Sequence, residues 1–277
     1  MMNNINKIFC FGDSITGHCV TGNDHYNGLK FYPYLLGKHF DCEIKNYGES
    51  VNSNEKISID ALNAISTEDY TNSLFVMGWS SAIRRLVYME DRKSMENIND
   101  ATETRPWYKS SVMDVFATLN GMLAVQKVLT DRNIPFVNFF GWKSDFIFSK
   151  NKLKWIGKGY TDNENKNIDL WAYKSNMWSV SEPLEDADIK NHEFKFIDLM
   201  CSEIKIENFI KKELYDYLLE KGTVDSKFLK FKNSKIPTLG DEILVISQDD
   251  LHPNELGHKL WTDEVLIPQI QEKINEY

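Results

Sequence analysis

Short apolar runs rich in β-branched and aromatic residues alternate along this chain with longer stretches of helical periodicity, and few folds accommodate that order. The runs lie at 8–11, 42–47, 73–79, 134–140 and 194–199, each bounded by Gly, Asp, Asn or other polar residues, as short strands are. The clearest helical stretch runs from Ser110 to Asp131, with Val112, Val115, Phe116, Leu119, Met122 and Leu123 at the i, i+3, i+4 spacing of one buried face. Asp131-Arg132-Asn133 closes it before the next run. Shorter helices are expected at 31–40, 55–65, 202–220 and 255–275. Strands that alternate with helices in this way imply a parallel sheet covered on both faces, hence the α/β class.

The 277 residues suit one large domain, or one domain with an insertion. Residues 143–192 break the rhythm. They are rich in Lys, Asn and Asp, show no sustained period, and carry Trp155, Trp171 and Trp178. Disordered tracts are poor in aromatics, so this stretch reads as an insertion or lid within a single domain spanning 1–277. With 32 basic and 41 acidic side chains the net charge is 32 − 41 = −9, which argues against nucleic acid or an anionic membrane as a partner. Cys10, Cys19, Cys42 and Cys201 show no CxxC spacing and read as reduced thiols. No apolar run approaches a membrane span, and the polar start lacks a signal-peptide pattern, so a cytoplasmic location is expected. Oligomeric state is not set by any of these features.

Two segments carry chemistry. The first is Phe11-Gly12-Asp13-Ser14-Ile15-Thr16-Gly17, where an apolar run stops at a glycine turn and presents a serine. A serine at a strand-to-helix turn can be a nucleophile near free backbone N–H groups; it can equally be a helix N-cap. Gly12 and Gly17 have phosphate-loop spacing, but His18-Cys19 follows in place of Lys and Ser/Thr, so that reading fails. The second segment is Asp249-Asp250-Leu251-His252-Pro253-Asn254-Glu255-Leu256-Gly257-His258. A carboxylate three residues before an imidazole can fix its tautomer, leaving the other ring nitrogen to accept a proton. The alternative is an Asp that caps the closing helix and a loop histidine. His258 lies six residues beyond His252, a spacing that does not place both on one helical face. With no cysteine cluster nearby, no metal is expected.

Taken together, Gly-Asp-Ser at 12–14 and Asp-x-x-His-Pro-Asn-x-x-Gly-His at 249–258 resemble the first and last blocks of the GDSL/SGNH hydrolase superfamily. Phe31-Tyr32-Pro33-Tyr34-Leu35-Leu36 is similar to the helix that follows the nucleophile turn in that family. Asn46-Tyr47-Gly48-Glu49-Ser50-Val51-Asn52-Ser53-Asn54 falls where its second block sits. The resemblance implies a flavodoxin-like, three-layer α/β/α sandwich and metal-independent, cofactor-free hydrolysis of acyl esters. It also implies Ser14 as nucleophile, His252 as general base and Asp249 as its orienting carboxylate.

Two positions depart from the family pattern. Val51 stands where a glycine usually lends its backbone N–H to the oxyanion hole, and a backbone donor survives that change. Ser80 stands where an asparagine side chain usually donates, within Gly78-Trp79-Ser80-Ser81-Ala82-Ile83-Arg84, a form similar to some viral members. The expected oxyanion donors are therefore the N–H groups of Ser14 and Val51, with Ser80 or Asn54 assisting. Trp79 and Trp142 end predicted strands, where aromatics either stack on a sugar ring or cap the core. Arg84 either holds a substrate or makes a surface ion pair. The expected activity is a serine esterase acting on small O-acyl esters, small-molecule or glycan, with carbohydrate O-acetyl groups among the candidates. A catalytically impaired binding or virion-associated module and an O-acyltransferase with the same triad are the alternatives.

Overall fold

A computed structural model describes residues 5–17, 30–50, 52–80, 85–89, 94–98, 111–141, 146–149, 152–155, 195–224, 237–246 and 252–276. Four parallel strands form its centre: β1 (Lys7–Gly12), β2 (Glu43–Gly48), β3 (Ser73–Trp79) and, after a hairpin of β4 (Arg85–Met89) and β5 (Ser94–Ile98), β6 (Phe136–Phe140). Their spatial order is β2-β1-β3-β6, with Gly12 opposite Gly48 and Met77 opposite both Phe11 and Asn138.

The strands are apolar along their length because both faces are covered. Phe9, Phe11, Phe75, Met77, Phe136 and Phe140 face one way, into a core shared with α2 (Asn54–Thr67), α3 (Ser111–Asp131) and α4 (Lys195–Glu203). The intervening Ile8, Cys10, Leu74, Val76, Val137 and Phe139 face the other way. They meet Tyr32 and Leu36 of α1 (Tyr32–Phe40), Leu214 and Leu218 of α5 (Leu214–Lys221), and the closing helices α6 (Glu255–Trp261) and α7 (Ile267–Glu276). The two-residue period of a strand thus separates two cores, and the molecule is a three-layer α/β/α sandwich.

Three elements differ from the periodicity reading. Residues 194–199 were expected as a fifth strand, but 195–203 is helix α4, in which Ile197 and Cys201 are buried four residues apart and Phe196 and Leu199 are exposed. The fifth position of the sheet falls to Phe209, which makes a single parallel bridge to Asn138 while the Ile210 N–H donates to the Asn138 carbonyl at 2.8 Å. The helix expected at 202–220 is therefore divided: a short 3-10 turn (Ile206–Asn208) and the bridge separate α4 from α5. The closing helix runs on from α6 to α7 through a π-helical stretch (Thr262–Leu266).

Of the expected insertion at 143–192, the described part is a hairpin, β7 (Phe146–Ser149) with β8 (Lys152–Trp155), whose Phe146 ring stacks on Phe140 at 5.7 Å. Residues 156–192, with Trp171 and Trp178, lie outside the described residues. Three short strands, β9 (Thr223–Val224), β10 (Pro237–Leu239) and β11 (Glu242–Ile243), form a small antiparallel sheet leading to α6. Among the described residues, no helix is long and apolar enough to cross a membrane.

Candidate active site

The C-terminal ends of β1, β2 and β3 converge on one turn. Ser14 follows Gly12 at the end of β1 and is only 5 % exposed. Residues 14–16 are a tight turn rather than the helix start expected from sequence, since the N–H groups of Thr16 and Gly17 both donate to the Asp13 carbonyl at 2.9 Å. Glycine is required here by close approach. A Cβ on Gly17 would lie 1.8 Å from the Gly48 carbonyl oxygen, and one on Gly12 would lie 2.0 Å from Thr16 Oγ1. The next strand closes in the same way, with a Cβ on Gly78 falling 2.9 Å from Thr16 Oγ1. The turn is thus packed against backbone on both sides.

Side chains from block two tie the turn down. Asn46 Nδ2 donates to the Thr16 carbonyl at 2.9 Å, and Asn52 Nδ2 donates to the Gly12 carbonyl at 3.0 Å. From the other layer, the Tyr32 hydroxyl donates to Thr16 Oγ1 at 3.0 Å. Burial first, and nearby Cys10 and Asp13 after it, hold that phenol's pKa well above the usual tyrosine value, so it remains a donor.

The partner of Ser14 comes from the far end of the chain. His252 Nε2 lies 2.8 Å from Ser14 Oγ, two residues that are 238 apart in sequence. His252 is held by a staple. Its carbonyl accepts from the Ile246 N–H at 2.8 Å, and Pro253 bridges Val245. Asn254 Nδ2 donates to the carbonyls of Ile243 (2.6 Å) and Val245 (3.1 Å). Asn254 Oδ1 accepts the Gly257 N–H at 2.9 Å, capping α6. One asparagine therefore fixes both the segment before His252 and the helix after it. His258, one turn into α6, is buried against the Phe31 ring at 4.6 Å. Burial, and secondarily the neighbouring His252 imidazole, lower its pKa to about 3, so this imidazole is neutral at ordinary pH.

Other expected site residues have different surroundings. The Ser80 hydroxyl donates to Asp13 Oδ2 at 2.7 Å, and its N–H donates to Asn54 Oδ1 at 2.7 Å. Both hydrogens of Asn54 Nδ2 are engaged, by the Ser80 carbonyl (3.0 Å) and Thr118 Oγ1 (3.1 Å). The Ser80 hydroxyl and N–H and both Asn54 amide hydrogens are thus directed at protein acceptors. Of the two readings open for Trp79, a ring at the site or a cap on the core, its surroundings are those of the core. It is 1 % exposed on the α2–α3 face, and its indole N–H donates to Asn138 Oδ1 at 2.9 Å. Val51, Arg84, Trp142 and Asp249 lie outside the described residues. Sequence reasoning missed Asp13, Asn46, Asn52 and Tyr32. For Asp13 and Asn52 the signal was a polar side chain just past a strand end, where open α/β sheets build their sites; Asn46, inside β2, and Tyr32, at the start of α1, carried no such signal. Among the described residues, no group of three or more His, Cys, Asp or Glu is placed to hold a metal ion.

A hydroxyl and an imidazole nitrogen at this separation can exchange a proton as nucleophile and general base. No family model and no curated protein matches the chain. Among solved structures, it is similar to a member of the lipolytic protein G-D-S-L family from Veillonella parvula DSM 2008, at 13 % identity and TM-score 0.40, covering 94 % of this chain and 96 % of that one. It is similar also to an acetyl xylan esterase from Geobacillus stearothermophilus, at 13 % identity and TM-score 0.37, covering 96 % of each chain. A mutant of the esterase AlinE4 matches at 15 % identity and TM-score 0.31, over 50 % of this chain and 60 % of that one. At these identities and TM-scores the fold stands on strand order and the two packed faces, and the chemistry on the site.

Proposed function

We propose that the chain is a metal-independent serine esterase acting on small O-acyl esters. The observation that carries this reading is the 2.8 Å approach of His252 Nε2 to Ser14 Oγ, held by the Asn254 staple on one side and the glycine-packed turn on the other. A serine that merely capped a helix would have no use for an imidazole brought 238 residues to meet it.

In the reaction, Ser14 Oγ forms a bond to the ester carbonyl carbon as its proton passes to His252 Nε2. Collapse of the tetrahedral intermediate breaks the bond to the alkoxy oxygen, which takes the proton back from His252 and leaves as alcohol. Water then adds to the acyl-enzyme, again giving its proton to His252, and the carboxylic acid departs as Ser14 recovers its proton. Asp249 is assigned the orienting role on the motif resemblance, as are the N–H groups of Ser14 and Val51 for the oxyanion. A carbohydrate O-acetyl substrate rests on the same resemblance, with Arg84 and Trp142 as its candidate contacts.

The test is turnover of p-nitrophenyl acetate by wild type and Ser14→Ala. The expected result is loss of at least ~10³-fold in kcat on removing the nucleophile; equal rates would overturn the reading.

A further inference from the structure

The geometry points to Ser80 as a positioning residue that acts on the nucleophile turn through Asp13. This inference rests on the esterase reading above and concerns how its site is held. Asp13 is 1 % exposed and directly precedes the nucleophile. Its two carboxylate oxygens do different work. Oδ1 accepts the Ile15 N–H at 3.0 Å, closing the turn just beyond Ser14, while Oδ2 accepts the Ser80 hydroxyl at 2.7 Å.

Ser80 is itself aimed. Asn54, the first residue of α2, clasps its backbone on both sides, accepting from the Ser80 N–H and donating to the Ser80 carbonyl, and the second Nδ2 hydrogen anchors Asn54 to Thr118 on α3. A chain of hydrogen bonds therefore runs from α3 through α2 and the end of β3 to the turn after β1. Asn54, Ser80 and Thr118 are all buried, where such bonds are short of competing water and hold their geometry.

The arrangement has a chemical purpose. A buried carboxylate beside Ser14 would oppose the negative charge that develops on the substrate oxygen. Donors on both of its oxygens disperse that charge and fix its direction, so the turn is held without presenting a bare anion to the oxyanion. Ser80 thus contributes by bracing Asp13, and the shorter hydroxyl suits that task because it needs to reach only a neighbouring turn.

The experiment compares wild type, Ser80→Ala, Asp13→Asn and the double variant, each with near-UV circular dichroism confirming the native fold. For each, kcat and KM for p-nitrophenyl acetate and the rate of Ser14 phosphonylation by a small fluorophosphonate are measured. Each single variant is expected to lose ~10- to 10²-fold in kcat and in phosphonylation rate with KM unchanged, as a misaligned nucleophile does. The double variant is expected to lose less than the product of the two single losses, because the Ser80 hydroxyl acts on the turn through the Asp13 side chain. Losses that multiply in the double variant, or a wild-type rate in Ser80→Ala, would overturn the inference. If wild-type Ser14 is not phosphonylated at all, it is the esterase reading that fails. The relay is then judged by amide hydrogen exchange at Ile15, where faster exchange in Ser80→Ala supports it and unchanged exchange overturns it.

Discussion

Thr16 sits where three strands close on one turn, and the glycines around it have no room for a side chain. Gly17 is the strictest of them, since a Cβ there meets the backbone carbonyl of Gly48 rather than a flexible side-chain end. Gly17→Ala is expected to cost about 1–3 kcal/mol of stability from overpacking and to lower turnover by displacing Ser14. Urea unfolding with parallel esterase assays checks both. Gly240 is the contrast: it has φ +62° with nothing within 4 Å of an added Cβ, so Gly240→Ala meets only local backbone strain and leaves turnover unchanged. Trp79 is a second test at this scale. Trp79→Phe removes the N–H that Asn138 Oδ1 accepts, and the buried acceptor left behind costs about 1–3 kcal/mol. KM for an ester substrate is expected to stay at the wild-type value; a raised KM would return Trp79 to the substrate.

The element that decides the site is the segment from β11 through α6. Asn254 caps α6 and clamps the carbonyls of Ile243 and Val245, so Asn254→Ala is expected to lose more than the ~1 kcal/mol of an ordinary cap. It should also lower kcat, since His252 is two residues away on the strapped segment; retention of full activity would show that His252 is placed by other contacts. At this scale much was legible. The strand at 73–79 matches its expected bounds, because a strand buried on both faces is a continuous apolar run flanked by polar residues. Helix α3 was equally plain from its apolar repeat, of which Val115, Leu119 and Met122 are buried while Phe116 is exposed. Phe194-Lys195-Phe196-Ile197-Asp198-Leu199 misled because apolar and polar residues nearly alternate there, while the positions that pack, Ile197 and Cys201, are four apart and one of them lies beyond the run. The division of 202–220 was hidden for a related reason. Ile206, Phe209 and Ile210 fit a helical stripe, yet the sheet edge offered Phe209 and Ile210 a pairing partner in Asn138, a tertiary contact no local pattern records. In the site, Ser14 and His252 were legible as motif residues. The hydrogen-bond partners of Ser80, Asn54 and Trp79 were not, because which acceptor a donor finds depends on neighbours far off in sequence.

Across the whole molecule, the two cores are separated by the sheet, and the site is the place where elements from both layers meet at its C-terminal edge. His258 links that edge to global stability. Its folded pKa, about 3, lies below its ordinary 6.5, so below about pH 6.5 the unfolded chain binds a proton that the folded chain does not. Stability present at neutral pH is therefore lost as pH falls from about 6.5 toward about 3, by up to ~1.4 kcal/mol per pH unit. Urea midpoints at pH 7 and pH 5 are expected to fall farther for wild type than for His258→Leu, which has no imidazole to protonate; equal changes would place the acid sensitivity elsewhere.

In the proposed reaction Ser14 and His252 act together, as nucleophile and base. The most direct test of this is intact-mass and peptide analysis after treatment with a fluorophosphonate at neutral pH. The expected result is one phosphonyl group per chain, located on Ser14, with labelling slowed by at least ~10²-fold in His252→Ala. Absence of an adduct on Ser14 in the folded wild-type protein, or equal labelling in the histidine variant, would contradict it.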